Sequence, residues 1–263
     1  MREAGALRAL VWDVDGTLAE TERDGHRVAF NAAFEALGVP WRWDEAHYGH
    51  LLHVTGGRER LLHDMTSQPA APSSAAARED LALQLHRLKN TLYAAIVAEG
   101  RIALRPGVAE LMADCHTAGV PMAIATTTSR SNVEALLGAH LGPRWEDGFA
   151  AVVCAEEAPR KKPDPQAYLE VLRRLGRAPS EVLAVEDSSP GVSACRAAGV
   201  AVVVTRSVYF AQADTRGALA VGPGLGSVAG WHLDTGAAAA GKGGATGRVD
   251  LDCLRRWFAA RAG

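Results

Sequence analysis

The sequence predicts an α/β protein in which a parallel sheet carries helices on both faces and an all-helical block is inserted near the N-terminus. Two observations predict this class. Beyond residue 106, short apolar runs alternate with segments of helical spacing, which is typical of parallel sheets. Between residues 21 and 99 the spacing is helical throughout. Since 263 residues exceed the roughly 150 of a common domain, a main domain with a smaller insertion is expected.

The composition is typical of a globular protein, and the charge balance favours a small-molecule partner. Hydrophobic residues make up 48% of the chain, enough for a buried core. The 28 Lys and Arg side chains against 30 acidic ones leave a net charge of -2, so no basic field favours nucleic acid or an anionic membrane surface. No run approaches the ~20 apolar residues that span a bilayer, and we expect a cytoplasmic protein.

The cysteines indicate no metal or disulfide chemistry. Four are present, widely separated and without a CxxC pair, so neither a zinc site nor a disulfide framework is predicted. We expect small buried apolar side chains at Cys115, Cys154, Cys195 and Cys253.

The first predicted element is a buried strand over residues 7–12, which stops abruptly at acidic residues. The helical block follows and contains two apolar stripes. A loop rich in Pro, Ala and Ser, residues 68–77, separates them, and an Arg-Pro-Gly sequence at 105–107 ends the block. The stripes comprise Val28, Phe30, Phe34 and Leu37, and later Leu81, Leu85, Leu88, Leu92 and Ile96.

Helices and strands alternate in the rest of the chain. The predicted strands cover 120–126, 150–154, 182–186 and 200–205, and the predicted helices lie near 108–118, 132–137, 165–175 and 191–198. The Gly- and Ala-rich segment 222–247 lacks periodicity and is predicted to be a mobile loop before a final helix at 251–258. We assign no chemistry to that loop.

Polar residues follow four of the predicted strands. They are the acidic loop 13–17, the threonines 126–128, Lys162 and the acidic pair 186–187. Because the carboxyl ends of parallel strands lie at one edge of a sheet, these groups are expected to share a site. Carboxylates and hydroxyls are the ligands that Mg²⁺ prefers, and no soft ligand is offered for zinc. The pattern therefore predicts a magnesium site.

The acidic loop has the spacing that phosphoryl transfer needs. Once a cation neutralises the phosphate charge, Asp13 can attack as a nucleophile and form an aspartyl-phosphate. Asp15, two residues further on, can protonate the leaving oxygen and later activate water. Gly16 permits the sharp turn that brings both carboxylates to one pocket.

Thr126 and a lysine are expected to hold the phosphate oxygens. Lys161 and Lys162 are both candidates for that lysine. Each motif alone has a common non-catalytic explanation. An isolated acidic loop is usually a turn or a cation-binding loop, and an acidic pair usually caps a helix. The four together, in this order, favour a catalytic site.

The segments DVDGT, AIATT, KKPDP and AVEDS, in this order, resemble the signature of the haloacid dehalogenase superfamily. The resemblance covers almost the whole chain. It implies a Rossmann-like core of residues 1–20 and 101–263, an all-helical cap domain of residues 21–100, and Mg²⁺. The family's Lys-Pro pairing selects Lys162 and leaves Lys161 to solvent. The implied roles are nucleophile for Asp13, acid/base for Asp15, phosphate binding for Thr126 and Lys162, and metal binding for Asp13, Asp15, Glu186 and Asp187.

A cap of this kind closes over the site and contacts the part of the substrate away from the reacting phosphate. Glu20 and His26 are candidates for binding sugar hydroxyls; the alternatives are a helix-start acid and a surface histidine. Tyr48, near two tryptophans, either packs in the cap core or lines the sugar pocket. Thr127 is a further candidate for substrate binding.

Residues 55–60, TGGRER, suggest a second phosphate site. Gly56 and Gly57 allow close backbone approach, and Arg58 or Arg60 can bind phosphate in a bidentate manner. The alternative is an interhelix turn with solvated arginines. Arg130 is another candidate for the distal phosphate, or else a surface charge.

The segments ETERDGHRVAFN and WRWDEAHYGHLLHVTGGRERL resemble the CbbY-type phosphatases associated with the Calvin cycle. These enzymes act on xylulose 1,5-bisphosphate, an inhibitor of RuBisCO. The resemblance implies that this chain hydrolyses that sugar phosphate or a near relative, and we expect a monomer. Two alternatives stay open: a sugar phosphate mutase similar to β-phosphoglucomutase, and a non-catalytic sugar-phosphate binding module.

Overall fold

The computed structural model describes residues 6–234 and 247–261, which form a seven-stranded sheet with helices on both faces. The strands lie in the order β3-β2-β1-β4-β5-β6-β7. The first six pair in parallel and β7 is antiparallel to β6. The bounds are β1 Ala9–Trp12, β2 Met122–Ala125, β3 Ala151–Val153, β4 Val182–Glu186, β5 Ala201–Thr205, β6 Ala220–Gly222 and β7 His232–Leu233.

Strand β1 lies between β2 and β4, so the residues that follow these three strands meet at one edge of the sheet. All three strands are completely buried, as expected for parallel strands covered on both faces. Alternate residues of β1 enter different cores: Leu10 and Trp12 belong to one, Ala9 and Val11 to the other.

Among the described residues, five helices cover the two faces of the sheet: α5 Val108–Thr117, α6 Arg130–Leu141, α7 Gln166–Leu175, α8 Ser189–Ala197 and α9 Leu251–Ala260. Apolar side chains of α5, α6 and α9 pack in the core of Leu10 and Trp12. Those of α7 and α8 pack in the core of Ala9 and Val11. This arrangement confirms the predicted parallel α/β fold.

The block between β1 and β2 is helical, as predicted. It contains a π-helical turn, Glu22–His26, followed by α1 Arg27–Ala36, α2 Glu45–Leu51, α3 Gly57–Asp64 and α4 Ala75–Ala98. These helices have an apolar cluster of their own, which includes Phe30, Phe34, Trp43, Tyr48, Leu61 and Leu85. We call residues 21–100 the helical insert; the domain boundaries at its ends stay a prediction.

The structure differs from the sequence-based prediction near the C-terminus. Strand β6 was not predicted, and β7 lies inside the segment expected to be a loop; residues 235–246 of that segment lie outside the described residues. Strands of three and two residues are too short to produce an alternating pattern. The Trp231 ring packs so closely on Gly222 that an added Cβ would lie 2.2 Å from it. Helix α4 also begins inside the predicted loop 68–77, because the Ser74 side chain caps it.

Two other expectations concern the whole chain. All four cysteines are buried, as predicted, and none of them forms a disulfide. Within residues 6–234 and 247–261, the helices include none long and apolar enough to cross a membrane.

Candidate active site

A cavity of about 330 Å³ lies between the ends of the central strands and the helical insert. Its volume is in the range of small-molecule binding sites. Most of the predicted site residues line it: Asp13, Asp15, His26, Gly56, Gly57, Arg58, Arg60, Thr127, Lys162 and Asp187. Residues that lie more than 100 positions apart in the sequence therefore meet in one site.

Asp13 and Lys162 form the centre of the site. Asp13 directly follows β1 and is buried, and the Lys162 Nζ donates a hydrogen bond of 2.6 Å to its Oδ1. Lys162 also donates to Glu186 Oε1 at 2.6 Å and to the Ala125 carbonyl at 2.9 Å. Burial lowers the pKa of Lys162, but the two carboxylates outweigh it and raise the pKa above its usual range. The ammonium is therefore charged and fixed beside the predicted nucleophile.

Glu186 is fully buried and accepts hydrogen bonds from four neighbouring groups. Its Oε1 accepts from the Tyr168 hydroxyl at 2.6 Å as well as from Lys162. Its Oε2 accepts from the Ser188 hydroxyl and from the backbone N–H of Asp187. Glu186 thus orients Lys162, and Tyr168, which sequence reasoning did not single out, orients Glu186.

Three acidic side chains fit a divalent cation. One carboxylate oxygen from each of Asp13, Glu186 and Asp187 lies within 4.8 Å of the other two, and all three residues are buried. Burial and Glu186 raise the pKa of Asp13 to about 7, and burial with Asp13 raises the pKa of Asp187 well above its usual value. One ammonium does not neutralise three carboxylates, so the donor set suits Mg²⁺.

Close packing around this acidic cluster explains the glycine of the DVDGT loop. Gly16 has a φ of 85°, and a Cβ there would lie 2.0 Å from Asp187 Oδ2. That same oxygen accepts a hydrogen bond of 2.5 Å from the Ser207 hydroxyl. Only glycine allows both the left-handed backbone and the close approach of the carboxylate.

Asp15 lies beside the acidic cluster rather than in it. Its Oδ1 accepts from the Thr21 hydroxyl at 2.6 Å and lies 2.9 Å from His26 Nε2. Burial raises the pKa of Asp15, but His26, Thr21 and the charge of Lys89 outweigh burial and hold the pKa below its usual range. Metal binding by Asp15 stays a prediction, and its side-chain Oδ1 contacts Thr21 and His26. The buried His26 was considered either a surface residue or a substrate contact, and it is a partner of Asp15.

Lys89 is a cavity residue that sequence reasoning missed. It is 97% buried, and its ammonium lies 5.2 Å from the Phe30 ring centre and 5.3 Å from that of Tyr93. Burial lowers the pKa of Lys89 to about 8. The sequence did indicate that Lys89 is buried, because position 89 lies on the same helical stripe as Ala82, Leu85, Tyr93 and Ile96. A lysine on a buried stripe is uncommon without a partner or ligand, and the Lys89 Nζ donates a hydrogen bond of 3.3 Å to Asn90 Oδ1.

Asn132 is a second cavity residue that was missed. Its Nδ2 donates to Thr128 Oγ1 at 3.1 Å and to Asn90 Oδ1 at 3.3 Å, which links the threonine loop to α4. Its buried Oδ1 has no hydrogen-bond partner among the described residues and is a candidate acceptor for a substrate hydroxyl. Thr126 itself is buried, and its hydroxyl accepts from the backbone N–H of Thr128 at 3.2 Å.

The two arginines of the helical insert differ in their environment. Arg60 is buried; it donates to the Tyr48 hydroxyl at 2.8 Å and lies 3.6 Å from Glu22 Oε2. Tyr48 also donates a hydrogen bond to Glu22, so its hydroxyl links the Arg60 guanidinium to the Glu22 carboxylate. The Arg58 side chain is 42% exposed and lies 3.4 Å from the exposed Glu79. Arg58 can therefore turn toward a ligand at a lower cost in free energy than Arg60 can.

The structure does not bring Glu20 or Arg130 into the cavity lining. Glu20 accepts from the backbone N–H of Val208 at 3.2 Å. Arg130 forms ion pairs of 2.5 Å with Glu146 and 3.0 Å with Glu157. The sequence did not reveal these pairs, because they depend on how separate loops pack together.

We expect Mg²⁺ to raise the melting temperature more at about pH 8 than at about pH 5. Folding raises the pKa of Asp13 from 3.8 to about 7, so the folded state keeps a proton that the unfolded chain has released. Without metal, the contribution of Asp13 to stability therefore falls as the pH rises from about 4 to about 7. The cation binds the ionised carboxylates and reverses this loss.

Thermal unfolding with and without Mg²⁺ across this pH range measures the effect. The control is Asp187→Asn, which removes one carboxylate of the cluster and should reduce the shift. A magnesium shift of equal size at both pH values, or one unchanged in the variant, would argue against a metal site here.

The comparisons with known proteins agree with this geometry. The sequence model of the haloacid dehalogenase-like hydrolases matches residues 7–199. Protein CbbY from Cupriavidus necator is 46% identical over 223 residues, which cover 85% of this chain and 87% of that protein. CbbY from Rhodobacter capsulatus is 43% identical and covers 80% of this chain and 92% of its own length.

Solved structures are similar as well. A CbbY variant from Rhodobacter sphaeroides in complex with xylulose-(1,5)bisphosphate has a TM-score of 0.78 and 38% identity, and the match covers 85% of this chain and 96% of that chain. A β-phosphoglucomutase from Clostridium difficile has a TM-score of 0.69 at 18% identity, a likeness of fold alone. Since the family model and several relatives match most of the sequence, the chain belongs to the haloacid dehalogenase-like hydrolase family.

Proposed function

We propose that this phosphatase is Mg²⁺-dependent and hydrolyses a sugar bisphosphate, xylulose 1,5-bisphosphate above all. The observation that supports this most is one cavity that holds both the predicted nucleophile and several cations. Asp13 and Lys162 line it together with three cations of the helical insert, Arg58, Arg60 and Lys89. The similarity to CbbY proteins, one of which was crystallised with this bisphosphate, supports the choice of sugar.

The first chemical step forms an aspartyl-phosphate. A carboxylate oxygen of Asp13 attacks the phosphorus, and the bond between phosphorus and the sugar oxygen breaks. The leaving oxygen takes a proton from the pair of Asp15 and His26, whose facing atoms are 2.9 Å apart. Lys162 offers positive charge to the phosphate oxygens. A Mg²⁺ ion held by Asp13, Glu186 and Asp187 would supply further charge neutralisation.

The second step releases phosphate. Water attacks the phosphorus of the aspartyl-phosphate, and the bond to the Asp13 oxygen breaks. The proton of the water passes to the pair of Asp15 and His26, which restores the starting state. His26, Thr21 and Lys89 outweigh burial and keep the pKa of Asp15 below its usual range, which favours the ionised form that accepts this proton. The net reaction consumes one water and yields inorganic phosphate and the sugar monophosphate.

Arg58→Ala should raise the KM for xylulose 1,5-bisphosphate about 10- to 100-fold but the KM for a sugar monophosphate less than about threefold. A charge-assisted hydrogen bond contributes about 1.5–3 kcal/mol, and only the bisphosphate has a second phosphate to accept it. Steady-state kinetics on both substrates measure the difference.

The matched control for this prediction is Arg87→Ala, an exposed arginine of α4 outside the cavity lining. It should leave both KM values unchanged. An equal effect of Arg58→Ala on the two substrates would exclude a role for Arg58 at the distal phosphate.

A mutase is the main alternative, because a similar cavity can return the phosphoryl group to a sugar instead of to water. Incubation with β-glucose 1-phosphate and Mg²⁺ separates the two activities. We expect slow release of phosphate or no reaction, and clean conversion to the 6-phosphate would contradict the phosphatase proposal. A non-catalytic binding module has no need for the Asp13–Lys162 contact and would release no phosphate from any ester.

We also propose that residues 21–100 form a cap domain on a core of residues 1–20 and 101–263, and that the protein acts as a cytoplasmic monomer. The separate apolar cluster of the insert supports the division. Light scattering during size exclusion tests the assembly state. By removing an inhibitor of RuBisCO, the reaction would protect carbon fixation.

A further inference from the structure

An ion pair connects the core to the helical insert at the cavity. The Nζ of Lys161, in the loop after β3, lies 2.8 Å from Oε2 of Glu59, in the first turn of α3. Sequence analysis left Lys161 to solvent, but its side chain is only 19% exposed. Both residues line the cavity, so the pair spans the gap between the two parts of the protein.

The backbone at Gly56 leaves room for this contact. Gly56 has a φ of 100°, and an added Cβ would lie 2.3 Å from Lys161 Nζ and 2.9 Å from its Cδ. The same Cβ would lie 2.3 Å from Glu59 Oε2. A larger residue at position 56 would therefore strain the backbone and displace the ends of the Lys161 and Glu59 side chains from each other.

The two partners are neighbours of the groups that act on substrate. Lys161 precedes Lys162, which contacts Asp13 at 2.6 Å. Glu59 lies between Arg58 and Arg60, which line the same cavity. The ion pair therefore joins the segment that carries Lys162 to the segment that carries the two arginines.

We propose that Lys161 is a positioning residue, whose ion pair with Glu59 sets the separation between Asp13 and the arginines so that a sugar bisphosphate reaches both. The proposal rests on the function proposed above and extends it to specificity. A direct role for Lys161 in binding the distal phosphate is the competing explanation. The two differ in what happens when the charges are exchanged.

The experiment compares the unaltered protein with four variants: Lys161→Met, Glu59→Gln, both together, and the exchange of Lys161→Glu with Glu59→Lys. Arg160→Met is the matched control, since Arg160 is 68% exposed and pairs with Asp164 of its own loop. The substrates are xylulose 1,5-bisphosphate, or the sugar phosphate hydrolysed best, and p-nitrophenyl phosphate, which has no second phosphate.

Each single variant should lower kcat/KM for the sugar phosphate about three- to tenfold, mainly through KM, as expected for a partly exposed ion pair. The double variant should lose no more than either single one. The exchange should restore kcat/KM to within about twofold. Hydrolysis of p-nitrophenyl phosphate should change much less, and Arg160→Met should affect neither substrate.

Failure of the exchange to restore activity, or additive losses in the double variant, would overturn the proposal and assign Lys161 to direct phosphate binding. Equal losses on both substrates would also overturn it. The proposed function fails separately, when the unaltered protein releases no phosphate from the bisphosphate while it still hydrolyses other esters.

Discussion

Asp13→Asn should abolish turnover, with a loss of at least about 10⁴-fold in kcat, because an amide oxygen is a poor nucleophile. The substitution also removes one carboxylate from the acidic cluster. Lys162 keeps its hydrogen bonds to Glu186 and to the Ala125 carbonyl, so the fold should persist. Phosphate release under single-turnover conditions measures the loss, and thermal unfolding checks the fold.

The control for this variant is Asp252→Asn, which makes the same chemical change at a side chain of α9 that is 72% exposed. It should retain full activity. An Asp13→Asn protein that keeps its activity within about tenfold would contradict a covalent intermediate at Asp13.

Asp15→Asn should lower kcat about 10²- to 10⁴-fold and change KM little, the size of effect associated with loss of a general acid/base. The amide can still accept from Thr21 but cannot take a proton from water. His26→Gln, which removes the partner at 2.9 Å, should give a smaller loss in kcat. Steady-state kinetics and their pH profiles measure both effects.

For Asp15→Asn, the informative observation is whether kcat or KM changes. A change confined to KM would indicate a binding role. A His26→Gln variant more impaired than Asp15→Asn would transfer the acid/base role to the histidine.

The core of the site was predictable because the catalytic groups directly follow buried strands. A short apolar run ending at Asp13 or at Glu186 fixes the position of each side chain at the edge of the sheet. Four such motifs in a family's order leave little freedom in how the strands are arranged. Strands β6 and β7 were missed because they are too short to show a pattern.

The surroundings of the core were less predictable because they depend on tertiary packing. Glu59 and Lys161 are 102 positions apart, and nothing local to either residue indicates that they pair. Arg130 could equally have faced the cavity until its pairing with Glu146 and Glu157 was known. Lys89 is the exception, since its place on the buried stripe of α4 was readable from the spacing.

The most direct test of the account is Mg²⁺-dependent phosphate release from xylulose 1,5-bisphosphate, measured beside ribulose 1,5-bisphosphate, several sugar monophosphates and β-glucose 1-phosphate. We expect selective hydrolysis of xylulose 1,5-bisphosphate that is lost when the metal is chelated. Equal hydrolysis of the monophosphates would contradict the roles given to the cations of the helical insert. Phosphate release that continues without a divalent cation would contradict the metal site of Asp13, Glu186 and Asp187.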